Sequence, residues 1–235
     1  MTAPPMDLSR RDDTVRELMD DPDCDPERLH ATLRRFGIVN RMVSGWDTVY
    51  RTRLRPVLAD LDRPARVLDL GSGGGDVIAR LAGLAARDRL EVQWTGADPD
   101  PRAHRAACAR QVPGATFVCT DAEALLHRGE AFDVVISNHV LHHLSSPELV
   151  EFTWASRSLS SGVALHNDIA RSRRAYWLYA VGITPLAPGT FLRTDGLRSI
   201  RRSHRREELA AQLGPEWTVT EHAPFRLLAE APGRA

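Results

Sequence analysis

Apolar positions in the first quarter of the chain recur at helical spacing. Leu29, Leu33, Phe36, Val39 and Val43 fall on one stripe behind the start signal Asp25-Pro26-Glu27, which predicts a helix that ends at Ser44-Gly45. A second helix is predicted from about residue 46 to 60. Beyond residue 65 the period changes. Short apolar runs at 66–70, 90–97, 116–119, 132–137 and 163–169 read as strands, and amphipathic stretches at 76–87, 102–111 and 147–159 read as the helices between them. Strands alternating with helices predict an α/β fold with a doubly wound, mostly parallel sheet. A helix at 205–213 follows, and two alternating segments at 217–221 and 225–229, broken by Ala223-Pro224, predict an antiparallel hairpin. Residues 170–204 form an insertion. Its first half predicts a short aromatic helix at 175–183, and its second half reads as turns rich in arginine. The polar stretch 1–28 is expected to be a frayed tail leading to a helix cap.

The run at 67–77, VLDLGSGGGDV, joins a buried strand to a helix across a glycine cluster. Glycine lets a ligand press against the backbone. A dinucleotide fingerprint needs its third glycine where this chain has Asp76, and the spacing is Gly71, Gly73 and Gly75 instead. Asp69 and Asp76 flank the loop with carboxylates, which suits a cation better than a pyrophosphate on a helix N-terminus. Asp98 ends the second strand, placed to accept from both hydroxyls of a ribose.

These residues resemble the class I S-adenosylmethionine-dependent methyltransferases, whose first motif has an acid two residues before its first glycine. FDVVISNHVLHHL at 132–144 resembles the fourth motif of the small-molecule branch related to the quinone-biosynthesis C-methylases, and CTDAEALL at 119–126 resembles the third. The resemblance implies a Rossmann-like sheet of seven strands and S-adenosyl-L-methionine as cofactor. It assigns Asp69, Gly71, Ser72 and Gly73 to the first motif, and Asp98 with Pro99 to the ribose end. Asp121 would accept from the adenine amino group beside the Ala122 N–H, or simply cap the next helix. Ser137, Asn138 and His139 would face the cofactor from the end of strand four. The expected boundaries are a tail and helical cap over 1–62, and a core over 63–235 that contains the insertion as a lid. In the cap, Arg41 is a candidate partner for the cofactor carboxylate and Trp46 for an aromatic wall; a surface arginine and a core tryptophan are the alternatives.

At 235 residues with a formal net charge of +0, the chain has no global field that would recruit nucleic acid. All 31 basic residues are arginine, so basic clusters carry less meaning than usual. Over 171–206 nine arginines face one acid, Asp195, a lid that would suit an anionic or carbonyl-bearing acceptor, a membrane surface or a partner, or be a solvated face. Three scattered cysteines fit neither a disulfide framework nor a zinc ribbon. No signal peptide or membrane span is read, and a cytoplasmic setting is expected. No metal is expected: His139, His142 and His143 have no carboxylate near them in sequence. His143 and His166 are the candidate general bases, each with a structural alternative. Together these readings predict methyl transfer to a small hydrophobic or aromatic acceptor, with O-methylation of a hydroxyl favoured over C-methylation of a quinone-like ring. A protein using the sulfonium for other chemistry, and a non-catalytic binding module, remain alternatives. Oligomeric state is not legible.

Overall fold

The computed structural model describes residues 7–235. Two helical segments precede the sheet. Asp25 caps α1 (Pro26–Val43) by accepting from the Glu27 and Arg28 N–H groups. The second runs as α2 (Trp46–Val49), a π-helical turn (Tyr50–Leu54) and α3 (Arg55–Ala59). Pro56 has no N–H to give and its ring crowds the Thr52 carbonyl, which is a physical reason for the wider turn.

Strands β1 (Ala65–Leu70), β2 (Val92–Ala97), β3 (Ala115–Val118), β4 (Phe132–Asn138) and β5 (Ser160–Ile169) run parallel, and β6 (Thr218–His222) and β7 (Arg226–Pro232) close the edge as an antiparallel hairpin. The order is β3-β2-β1-β4-β5-β7-β6, a seven-stranded sheet as expected. Helices α4 (Asp76–Arg87), α5 (Pro101–Cys108), α6 (Ala122–His127) and α7 (Ser146–Ser158) are the crossovers. Ile78 and Leu81 of α4 cover Val67, Val134 and Ile136 on one face, and Leu125 and Leu159 cover Leu68, Leu70 and Val135 on the other, so β1 and β4 are buried on both faces as their continuous apolar runs require. The order reverses between β1 and β4, so the carboxyl ends of these two strands open onto the crevice where α/β sheets bind ligands.

Beyond β5 come α8 (Arg173–Gly182), α9 (Leu192–Arg202) and α10 (Arg206–Leu213). Helix α9 corrects the expectation of turns over 185–203. Its buried positions Leu192, Asp195, Ser199, Ile200 and Arg202 do repeat at helical spacing, but three of the five are polar, so the stripe is invisible to hydropathy.

Residues 7–25 are no frayed tail. They form a strap laid across the carboxyl edge of the sheet, with Leu8 buried. Arg11 donates to the carbonyls of His142 (3.0 Å), Leu144 (2.6 Å) and Arg202 (2.7 Å), and the Leu18 and Met19 N–H groups donate to the Asp195 carboxylate at 2.8 and 3.0 Å. Pro4-Pro5 lies outside the described residues.

Candidate functional site

A cavity of about 580 Å3 opens at the crevice, and its walls carry residues of the strap, α1, the glycine loop, β4, α8, α9 and the hairpin. That volume is ordinary for a small-molecule site. One end is acidic. The β1 strand turns back at Gly71, whose N–H donates to the Ala97 carbonyl at 2.8 Å. Gly71 has φ +71°, and a Cβ there would stand 2.6 Å from Val140 Cγ2; Gly73 has φ +53° and leaves open space where a side chain would be. Asp98 accepts from the Gly73 and Asp100 N–H groups at 2.8 and 2.9 Å. Asp69 is buried and its Oδ1 has no partner. Burial, reinforced by the carboxylates of Asp76 and Asp98, raises the Asp69 pKa well above the ordinary carboxylate range. An unpartnered buried acceptor among like charges is the environment a cationic ligand would relieve. The residues present therefore fit a nucleoside bearing a positive charge.

The other end is built on the turn after β4. His139 sits at φ +61°, its N–H donating to the Asn167 carbonyl at 3.0 Å, and a 3-10 turn carries Leu141–His143. Arg202 holds that turn through the carbonyls of His142 (3.2 Å) and His143 (2.8 Å). His142 is buried, with Nδ1 at 2.7 Å from Asp168 Oδ1 and Nε2 at 3.3 Å from Glu17 Oε1. Burial would lower its pKa, but Asp168 and Glu17 outweigh burial and hold it at about 9. For Glu17 burial likewise loses, against the imidazoles of His143 and His142, and the carboxyl falls to about 2. His139, kept neutral by burial and by Arg226, accepts from Arg226 Nη1 at 2.5 Å.

Several expected roles change. Arg41 lies on the exposed side of α1, outside this cavity, because the inward stripe of that helix is Val39, Asn40 and Val43. Among the described residues the arginine on the cavity wall is Arg226. Trp46 is a core residue whose indole donates to Asn138 Oδ1 at 3.0 Å. Asp121 caps α6, accepting from the Ala124 N–H at 2.9 Å, and neither it nor Ala122 nor Pro99 lines the cavity. Ser137 is fully buried and its hydroxyl meets His166 Nδ1 at 2.8 Å. His166 is no base for an acceptor. Its other nitrogen meets Ser156 Oγ at 2.8 Å, both nitrogens are thus satisfied inside the core, and burial lowers its pKa to about 3. Asp69, Gly71, Ser72, Gly73, Asp98, Asn138, His139 and His143 do line the cavity.

The lid arginines do not reach the cavity either. Arg171, its side chain wholly buried, pairs with Glu208; Arg201 pairs with Asp12, and Arg198 donates to the Arg16 carbonyl. They fasten the strap and the lid. The expectation that no carboxylate stands near the histidine pair is corrected by Glu17, which sequence distance concealed. Asp168 lies near the end of the run 163–169 that the sequence reads as a strand, whereas Glu17 and Arg226 gave no local signal.

Residues 67–162 match the methyltransferase-domain family. The ubiquinone biosynthesis O-methyltransferase of Parvibaculum lavamentivorans is 30% identical over 117 residues, which is 50% of this chain and 45% of that protein. The mitochondrial ubiquinone biosynthesis O-methyltransferase of Arabidopsis thaliana is 28% identical over 125 residues, 50% of this chain and 36% of that one. The chain thus matches less than half the length of each of these two curated relatives. Among solved structures, the CurJ carbon methyltransferase aligns with a TM-score of 0.61 at 16% identity, covering 91% of this chain and 62% of that one. The plantazolicin methyltransferase BpumL in complex with SAH aligns with a TM-score of 0.55 at 14% identity, covering 88% and 96%. At these identities the structural likeness is one of fold.

Proposed function

We propose, from the match of residues 67–162 to the methyltransferase-domain family and from the seven-stranded sheet, that the protein is a class I S-adenosylmethionine-dependent methyltransferase that methylates a hydroxyl of a small, apolar, aromatic or polyketide-like acceptor. The observation that carries this reading is one cavity whose lining joins an acidic, glycine-walled end to a group of apolar side chains beside the histidine turn. Asp69, Gly71, Ser72, Gly73 and Asp98 would hold the cofactor, with Asp98 on its ribose; Asn138 and His139 would border it. The bound cofactor supplies a methyl group already activated on a sulfonium. Much of the rate can therefore come from alignment and exclusion of water. Leu178, Tyr179, Ile183 and Leu192 supply the apolar wall of the acceptor end. His143 stands beside Glu17 and Asp20 on that wall, and it is the group we assign to take the hydroxyl proton as the oxygen attacks.

The test is incubation with methyl-labelled S-adenosylmethionine and a panel of phenols and enols, read by mass spectrometry of both products. Methylated acceptor and demethylated cofactor should appear in step, and His143→Ala should lower kcat by about 10²-fold with cofactor affinity unchanged. Label on carbon would replace the hydroxyl reading with C-methylation. Cofactor binding without demethylated product from any acceptor would overturn methyl transfer itself.

A further inference from the structure

Glu17, His142 and His143 each point one ligand atom at a common space, and these atoms all lie within 4.8 Å of one another. His142 Nε2 is 3.3 Å and His143 Nε2 3.7 Å from Glu17 Oε1. Donors held tetrahedrally at about 2.1 Å from an ion stand roughly 3.4 Å apart, so the spacing matches a site that needs only small shifts to close. The support behind the donors is equally specific. Asp168 meets the remote nitrogen of His142 at 2.7 Å, Asp20 meets the remote nitrogen of His143 at 3.3 Å, and the Ser199 hydroxyl donates to Glu17 Oε1 at 2.5 Å. Each imidazole therefore has a carboxylate behind it and presents its Nε2 forward, the arrangement that fixes tautomer and raises basicity in metal-ligating histidines.

We propose that Glu17, His142 and His143 bind a divalent transition-metal ion, zinc by the chemistry of the donors, with its fourth position open to the acceptor end of the cavity. Two imidazoles and one carboxylate suit zinc and its neighbours, whereas magnesium prefers an all-oxygen shell. Binding replaces the hydrogen bond between His142 and Glu17 with two bonds to the ion, and the displaced imidazole proton goes to solvent. The catalytic consequence rests on the acceptor reading given above; the binding does not. With the ion bound, His143 is a ligand and the ion replaces it as the activating group: an acceptor hydroxyl in the fourth position would lose its proton to water at the cavity mouth as its oxygen bonds the ion.

The experiment is calorimetric titration of chelator-treated protein with zinc chloride and separately with magnesium chloride, alongside the visible spectrum of the cobalt(II) form. One zinc per chain is expected, no comparable magnesium affinity, and a tetrahedral cobalt spectrum. Glu17→Gln and His143→Ala should each weaken zinc by about 100-fold, Asp168→Asn by about 10- to 100-fold, and the exposed His127→Gln not at all. S-adenosylmethionine affinity checks that each variant is folded. Absence of stoichiometric zinc, or binding unmoved by Glu17→Gln and His143→Ala, overturns the site. Zinc bound as expected in a protein that methylates no acceptor would sink the acceptor reading and leave the site standing.

Discussion

Asp98 and Asp69 illustrate what single residues do at the cofactor end. Asp98 already accepts two backbone N–H bonds, which fix its carboxylate toward the open face of Gly73. Removing it as Asp98→Ala should weaken S-adenosylmethionine binding by about 1–3 kcal/mol, measured calorimetrically, through loss of charge-assisted hydrogen bonds. Unchanged affinity would take Asp98 out of the site. Both positions were legible because their signals are local: an acid two residues before a glycine turn, and an acid ending the next strand. His142 was harder to separate from His143. Adjacent residues face different ways, and which one faces inward depends on the 3-10 geometry of Leu141–His143, itself set by carbonyl bonds from Arg11 and Arg202 that no nearby sequence announces.

At the scale of elements, sequence order and spatial order part company. The five parallel strands and their crossovers are written in apolar periodicity, so their positions were readable to within a few residues. The strap and α9 are written in polar chemistry, chiefly arginines donating to carbonyls and one aspartate accepting from two N–H groups, which hydropathy cannot see. Asp195 is the main tie. We expect Asp195→Ala to speed amide exchange at Leu18 and Met19 by at least about tenfold, since the carboxylate that accepts from both is lost and each such bond contributes about 1 kcal/mol or more. The exchange of β1 and β4 amides should not change. Equal protection at Leu18 and Met19 in the variant would show that other contacts hold the strap.

For the whole molecule, buried neutral histidines shape the response to acid. Burial pushes the His166 imidazole from its ordinary value of about 6.5 down to about 3 in the folded protein, because the core cannot solvate an imidazolium. Its contribution to stability is complete above pH 6.5 and is lost as pH falls toward the folded value, at up to about 1.4 kcal/mol per pH unit. His204, lowered to about 4 by burial, adds a term of the same sign. His166→Gln should therefore flatten the acid limb of urea-determined stability between pH 6.5 and 4 by about one proton, even if it lowers stability at pH 7. An unaltered slope would mean that His166 is protonated without unfolding, contrary to its burial between Ser137 and Ser156. Among the described residues no helix is long and apolar enough to cross a membrane.

The contact between Glu17 and Ser199 joins residues 182 positions apart. During synthesis Glu17 leaves the ribosome early and must wait for Asp195, Ser199 and finally Arg226 before the chamber it helps to line can exist. The sheet has most of its strands well before then, so the scaffold can form ahead of the acceptor chamber. A chain that stops short of the hairpin should keep much of the scaffold and lose the chamber.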